Sequence, residues 1–184
     1  MKSKVLALIL LCGAASLGAK VKLPALVGDN MILQQQTEVK LWGTAAPEAE
    51  VRVTPSWNGQ TMTCRADKDG GWTLAVETPA AGYTPYEITF DDGEKTTLKN
   101  ILIGEVWLAS GQSNMEMPLK GFAGCCIMNG ADDIIVSAEN KGVRMFTVPK
   151  HQTYELQTDC KGSWNISSIE TAPVFSATPY YFAT

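Results

Sequence analysis

Three glycine turns punctuate the middle of the first half of the chain: Asn58-Gly59, Asp69-Gly70-Gly71 and Asp92-Gly93. The segments around them, EVRVTPSW, QTMTCRA, GWTLAVET and YEITFDD, are short and rich in β-branched and aromatic residues, and they alternate apolar with polar. A period of two puts Trp72, Leu74 and Val76 on one strand face, and Tyr86, Ile88 and Phe90 on another. Asn-Gly between two such runs is the strongest short hairpin signal. Residues 20–100 are therefore expected to form an all-β, sandwich-like antiparallel domain. Trp42 and Trp57 belong in its core or at its edge.

The texture changes after residue 100. ILIGEVWLAS is a nearly continuous apolar run, as in a strand buried on both faces of a parallel sheet. GADDIIVSAEN has a helical pattern and GVRMFTV reads as a second buried strand. APVFSATPYYFAT resembles the start of a helix that Pro179 interrupts. Strand, helix, strand, helix predicts the beginning of an α/β domain over 101–184. Two strands cannot complete a doubly wound sheet, so this domain is expected to be truncated. The boundary falls at residues 99–104, without a flexible linker.

The first 19 residues, MKSKVLALILLCGAASLGA, have two lysines, a short apolar run and small residues, the layout of a secretory signal peptide. A lipoprotein site at Cys12 is the weaker alternative, because Leu11 before it is bulky. The expected location is periplasmic or secreted. Cleavage removes Lys2 and Lys4 from 15 basic side chains and no acid from 19, leaving a net charge of −6. Nucleic acid and anionic membrane surfaces both need clustered Lys and Arg, so neither is expected as a partner. No later run is long enough to span a membrane. Cys64, Cys125, Cys126 and Cys160 remain and allow three pairings. The preferred one bridges Cys125 or Cys126 to Cys160 with Cys64 buried; free thiols are the alternative. No C-x-x-C spacing argues for zinc.

The chemistry concentrates at EVWLASGQSNMEMPL, residues 105–119. If 103–109 is a buried strand, Ser113 emerges at its carboxyl tip, where open α/β sheets place their ligands. Gly111 is expected to ease the turn, and N–H groups at a following helix start could hold an oxyanion. Ser113 would be a nucleophile with part of an oxyanion hole around it. The competing reading is structural: Ser113-Asn114-Met115-Glu116 matches the capping box, in which the serine caps a helix and the glutamate reaches back. Pro118 would keep that helix short.

LPALVGDNMILQQ, LWGTAAP, GEVWLASGQSNMEMPL, VRMFTVPK and FSATPYYFA, in that order, resemble the amino-terminal part of bacterial sialate O-acetylesterases, within the wider SGNH esterase class. The resemblance covers essentially the whole chain after the signal. It implies that 101–184 is a partial SGNH hydrolase-like α/β domain. It also implies a carbohydrate ester hydrolase without metal or organic cofactor, acting on O-acetylated sialic acid or a related acetylated sugar. Gly111, Gln112, Ser113 and Asn114 would form the nucleophile loop, with Ser113 attacking the acetyl carbonyl and its N–H helping to hold the oxyanion. In the family the base is a histidine in an Asp-x-x-His block near the carboxyl end of a far longer chain. No such block occurs among these 184 residues, and His151, in VPKHQTY, lies where the family pattern does not put its base. By itself the chain is expected to lack activity, because a serine hydroxyl needs a proton acceptor.

Two other readings stand beside the esterase. The β domain could be a non-catalytic carbohydrate-binding module using Trp42, Trp57, Trp72, Tyr83 and Tyr86, or a structural brace for the hydrolase part. NIS at 165–167 matches a glycosylation acceptor pattern and is assigned no role.

Overall fold

The computed structural model describes residues 20–184; the expected signal peptide and Cys12 lie outside the described residues. Seven strands come first: β1 (Ile32–Gln34), β2 (Glu38–Thr44), β3 (Glu50–Pro55), β4 (Met62–Arg65), β5 (Gly71–Glu77), β6 (Gly82–Asp91) and β7 (Lys95–Gly104). Five of them form one sheet in the order β1-β7-β6-β3-β4, and β2 pairs with β5 in a separate antiparallel ribbon. Asn58-Gly59 lies in the connection of the β3–β4 hairpin, as its sequence predicts. Gly59 there has φ +65°, and the Asn58 side chain accepts from the Gln60 N–H at 3.0 Å.

The period-two pattern becomes the core. Val51, Val53, Val76, Ile88, Phe90 and Ile101 are fully buried. Trp72 lies against Phe90 with ring centroids 5.8 Å apart. Residues of the ribbon and of the five-stranded sheet share this one cluster. Trp42 and Trp57 pack at its margin. Their indole N–H groups donate to the carbonyls of Thr158 and Glu77 at 3.1 and 2.9 Å. The antiparallel expectation fails in one place: β1 runs parallel to β7, pairing Ile32 with Leu102 and Gln34 with Gly104. A parallel pair needs a long connection, and the rest of the β region supplies it by joining the first strand to the last.

The second half departs further from expectation. It contains a 3-10 turn at Ser113–Met115, α1 (Gly130–Val136), β8 (Arg144–Phe146), β9 (Trp164–Ile166), a second 3-10 turn at Ala172–Val174 and α2 (Ala177–Ala183). Leu119, Met145, Ala172, Ala177 and Tyr180 form a small second core. The expected strand over 103–109 ends at Gly104. Its last pairing is the Gln35 N–H to the Gly104 carbonyl at 2.8 Å. Beyond it no strand among the described residues lies alongside, and a strand without partners cannot satisfy its backbone. Val106, Trp107 and Leu108 are consequently 43%, 67% and 93% exposed.

GVRMFTV does hold a strand, but β8 pairs antiparallel with β9, so the described residues contain no α/β parallel sheet. The protein is mostly β with few helices. Pro179 does not interrupt α2: it occupies the first turn, where its missing N–H would have no helical acceptor. The preferred disulfide is absent, and Cys64, Cys125, Cys126 and Cys160 are free, Cys125 and Cys126 on exposed loop positions.

Candidate active site

The segment that carries Ser113 is gripped at both ends. At the end of β7 the Glu105 carboxylate accepts from the Gln34 and Gln35 amides at 3.0 and 2.6 Å. The Gln34 side-chain oxygen Oε1 in turn takes the Val106 N–H at 2.9 Å. The two amide donors to Glu105, Gln34 first and then Gln35, hold its carboxyl below its ordinary pKa. Downstream, the Asn114 carbonyl accepts from the Thr178 hydroxyl at 3.2 Å and the Met117 carbonyl from the Ala177 N–H at 2.8 Å. Leu119 donates its N–H to the Phe175 carbonyl at 2.9 Å and is itself fully buried. Trp107 meets Phe182 edge to face at 5.0 Å. The start of α2 is thus the platform for the loop, a role that sequence periodicity does not signal.

Gly111, Gln112, Ser113 and Asn114 are all exposed. The capping-box reading fails here. The cap position is Gln112, Ser113 is the first residue inside the turn, and no side chain caps it. Glu116 does not reach back; its carboxylate pairs with Lys150 Nζ at 2.7 Å. Its backbone N–H closes the turn on the Ser113 carbonyl at 3.1 Å. The Ser113 hydroxyl is therefore free of the structural duty that competed with a chemical one.

The helix expected to stabilise an oxyanion is also missing. Three residues of 3-10 turn supply no macrodipole comparable to that of several aligned α-turns. Gly111 has no left-handed backbone; its lack of a side chain matters because a Cβ would stand 2.7 Å from Met115 Cγ. His151 follows Lys150, whose ion pair ties that segment to the Ser113 turn. The imidazole is exposed, and no hydrogen bond joins it to Ser113 among the described residues. No three His, Cys, Asp or Glu side chains among the described residues come together as a metal site, and none of the described helices is long and apolar enough to cross a membrane.

Of the five aromatics that could have built a sugar platform, Trp72 is buried, while Trp57 and Tyr86 stack edge to face at 5.7 Å as part of the packed β domain. Tyr83 alone of the five is largely exposed, at 86%.

The mostly β fold has a counterpart among solved structures. The crystal structure of a carbohydrate acetylesterase from Xanthomonas citri matches with a TM-score of 0.79 and 32% identity, covering 88% of this chain and 36% of that one. Among curated proteins, the sialate O-acetylesterase of Rattus norvegicus is 27% identical over 175 residues, 87% of this chain and 31% of the relative. That of Homo sapiens is 29% identical over 151 residues, 76% of this chain and 28% of the relative. No family model matches the chain. These likenesses support kinship with sialate and carbohydrate O-acetylesterases; the curated relatives are mammalian. The chain spans about a third of the length of the relatives it matches.

Proposed function

We propose that this chain carries the nucleophile segment of an exported carbohydrate O-acetylesterase of the SGNH type. Ser113 attacks the acetyl carbonyl of an O-acetylated sialic acid or related sugar, and Gly111, Gln112 and Asn114 shape the loop around it. Residues 1–19 serve as the export signal. The observation that carries the reading is the exposed Ser113 side chain, which caps nothing on a loop fixed at both ends, in a chain similar to named acetylesterases. The β domain acts as a brace. Hydrogen bonds tie it to the second half, among them Ala25 to Asp159, Trp42 to Thr158 and Trp164 to Leu26, at 2.8, 3.1 and 2.8 Å. The packing of Trp42, Trp57, Trp72 and Tyr86 against its core leaves little aromatic surface for a binding module.

Nucleophilic attack requires that the serine proton go to a base as the oxygen bonds to carbon. No group among the described residues is bonded to that hydroxyl in the manner of a base. The 184 residues alone are therefore expected to give no ester hydrolysis that depends on Ser113. The test is a p-nitrophenyl acetate burst with the wild type, Ser113→Ala and His151→Ala. Equal rates are expected; a burst lost in both variants would make His151 the base and overturn this assignment.

A further inference from the structure

The loop that joins the Ser113 segment to α1 closes on itself. It begins at Gly121 and ends at Gly130, both buried, and every residue between them except Ile127 is exposed. At its neck the chain ends touch: a Cβ on Gly130 would stand 2.8 Å from the Leu119 carbonyl oxygen. Ile127 packs against the second core. Phe122 and Cys125 exchange both backbone hydrogen bonds, at 2.9 and 3.0 Å, across a tight turn in which Gly124 has φ +77°. Gly121, at φ +75°, packs directly on the backbone of the next two residues in line. A Cβ there would lie 2.6 Å from the Cys125 carbonyl oxygen and 2.8 Å from Cys126 Cα. Compact loops closed in this way frequently carry function.

What this loop presents to solvent is sulfur. Cys125 and Cys126 are adjacent, exposed and free, and Met128, two residues on, is 85% exposed. Residues 121–131 include no charged side chain and no histidine. A hard cation, which needs carboxylate oxygens, finds none in the loop, and a closed zinc site needs four protein ligands. The two cysteines are joined by a trans peptide, which sets their Cα atoms about 3.8 Å apart. That is short of the roughly 4.4–6.8 Å that disulfides usually span, so a direct bond between them is strained. An ion held between the two sulfurs, with metal–sulfur bonds of about 2.3 Å as in zinc thiolates, keeps them farther apart and removes that conflict. Thiolate and thioether donors together select soft ions, monovalent copper foremost.

We propose that Cys125, Cys126 and Met128 form a binding site for a soft monovalent metal ion, copper(I). On binding, both thiols release their protons to solvent and two metal–thiolate bonds replace the two S–H bonds. The thioether adds a third, neutral donor, and no oxidation state changes. The site does not use Ser113 and stands whether or not the esterase reading does.

Anaerobic titration of the chain with copper(I), in competition with a chromophoric copper(I) chelator, tests it. One ion should bind per chain, more tightly as pH rises toward the thiol range, because the ligands must lose protons. Cys125→Ser and Cys126→Ser should each weaken binding at least about 100-fold, since loss of outer-shell partners alone costs about 10–100-fold. Met128→Leu should weaken it several-fold, and the Cys64→Ser/Cys160→Ser double variant should bind like wild type. The three ligands are exposed, so their variants should keep the wild-type unfolding midpoint. The proposal is overturned if the chelator retains all the copper, if Cys125→Ser binds as well as wild type, or if the double variant loses the ion. An ion shared between two chains, or zinc bound as tightly as copper(I), would overturn it equally. Wild-type affinity in Met128→Leu would strike out the third donor.

Discussion

Ser113→Ala distinguishes a chemical serine from a structural one through stability alone. A serine that caps a helix contributes about 1 kcal/mol, within a range of roughly 0.5–2. With a urea m-value of about 2 kcal/mol/M for a protein of this class, losing a cap would lower the unfolding midpoint by roughly 0.5 M. In the structure Ser113 occupies the first position inside its 3-10 turn, is exposed and caps nothing. The expected change is therefore within about 0.5 kcal/mol, the range of an ordinary surface substitution. Glu116→Ala removes an ion pair whose side chains are 50% and 81% exposed, which is worth about 0–1 kcal/mol. A double-mutant cycle between Ser113 and Glu116 should give coupling near zero, because their side chains serve different partners. Urea unfolding followed by tryptophan fluorescence measures all three variants. A loss of about 1 kcal/mol or more for Ser113→Ala, with clear coupling to Glu116, would mean that the capping box forms after all and the hydroxyl is occupied.

Gly43→Ala places a Cβ 2.4 Å from the Lys22 carbonyl oxygen and 2.9 Å from the Trp72 ring; overpacking of this kind costs about 1–3 kcal/mol, readable as a lower urea midpoint, and an unchanged midpoint would refute the close packing of that edge. The Glu105 clasp contributes stability that is fully present above the unfolded carboxyl pKa of about 4.3 and is lost as pH falls through the lowered folded value. Carboxyl NMR should show Gln35→Leu moving the Glu105 titration upward, and no movement would remove the clasp. In a thiol-reagent time course Cys125 and Cys126 should react first, because both are exposed. Cys64 and Cys160 should lag, since burial, joined at Cys160 by the neighbouring Asp159 charge, raises their pKa values; a protein with no reactive thiols would restore the disulfide.

The β region was legible because its signals are local. Alternation fixes which side chains face inward, so Trp72, Leu74 and Val76 could be placed from the sequence, and Asn58-Gly59 marks its turn by backbone chemistry. The β1–β7 parallel pair was not legible, because nothing in three residues of β1 states which distant strand they join. The apolar run Val106–Leu108 misled for a related reason. Apolar content says that a segment is suited to a buried strand, but a strand exists only where neighbours pair with it, and none does so among the described residues. At the site, Ser113 stands out by its residue type and the motif around it. That its hydroxyl is uncommitted depends on a one-residue shift of the turn start, from Ser113 to Gln112 at the cap, finer than pattern reading resolves. The mooring to Thr178 and Ala177 arises from tertiary contacts between segments distant in sequence.

The most direct test of Ser113 as the nucleophile is acetate release from O-acetylated sialic acid by the protein as its organism produces it, with and without Ser113→Ala. Loss of the attacking oxygen should lower the rate by at least about 10³-fold with no change in the unfolding midpoint. Acetate release that survives the substitution, or that falls only in step with lost folding, would contradict the assignment.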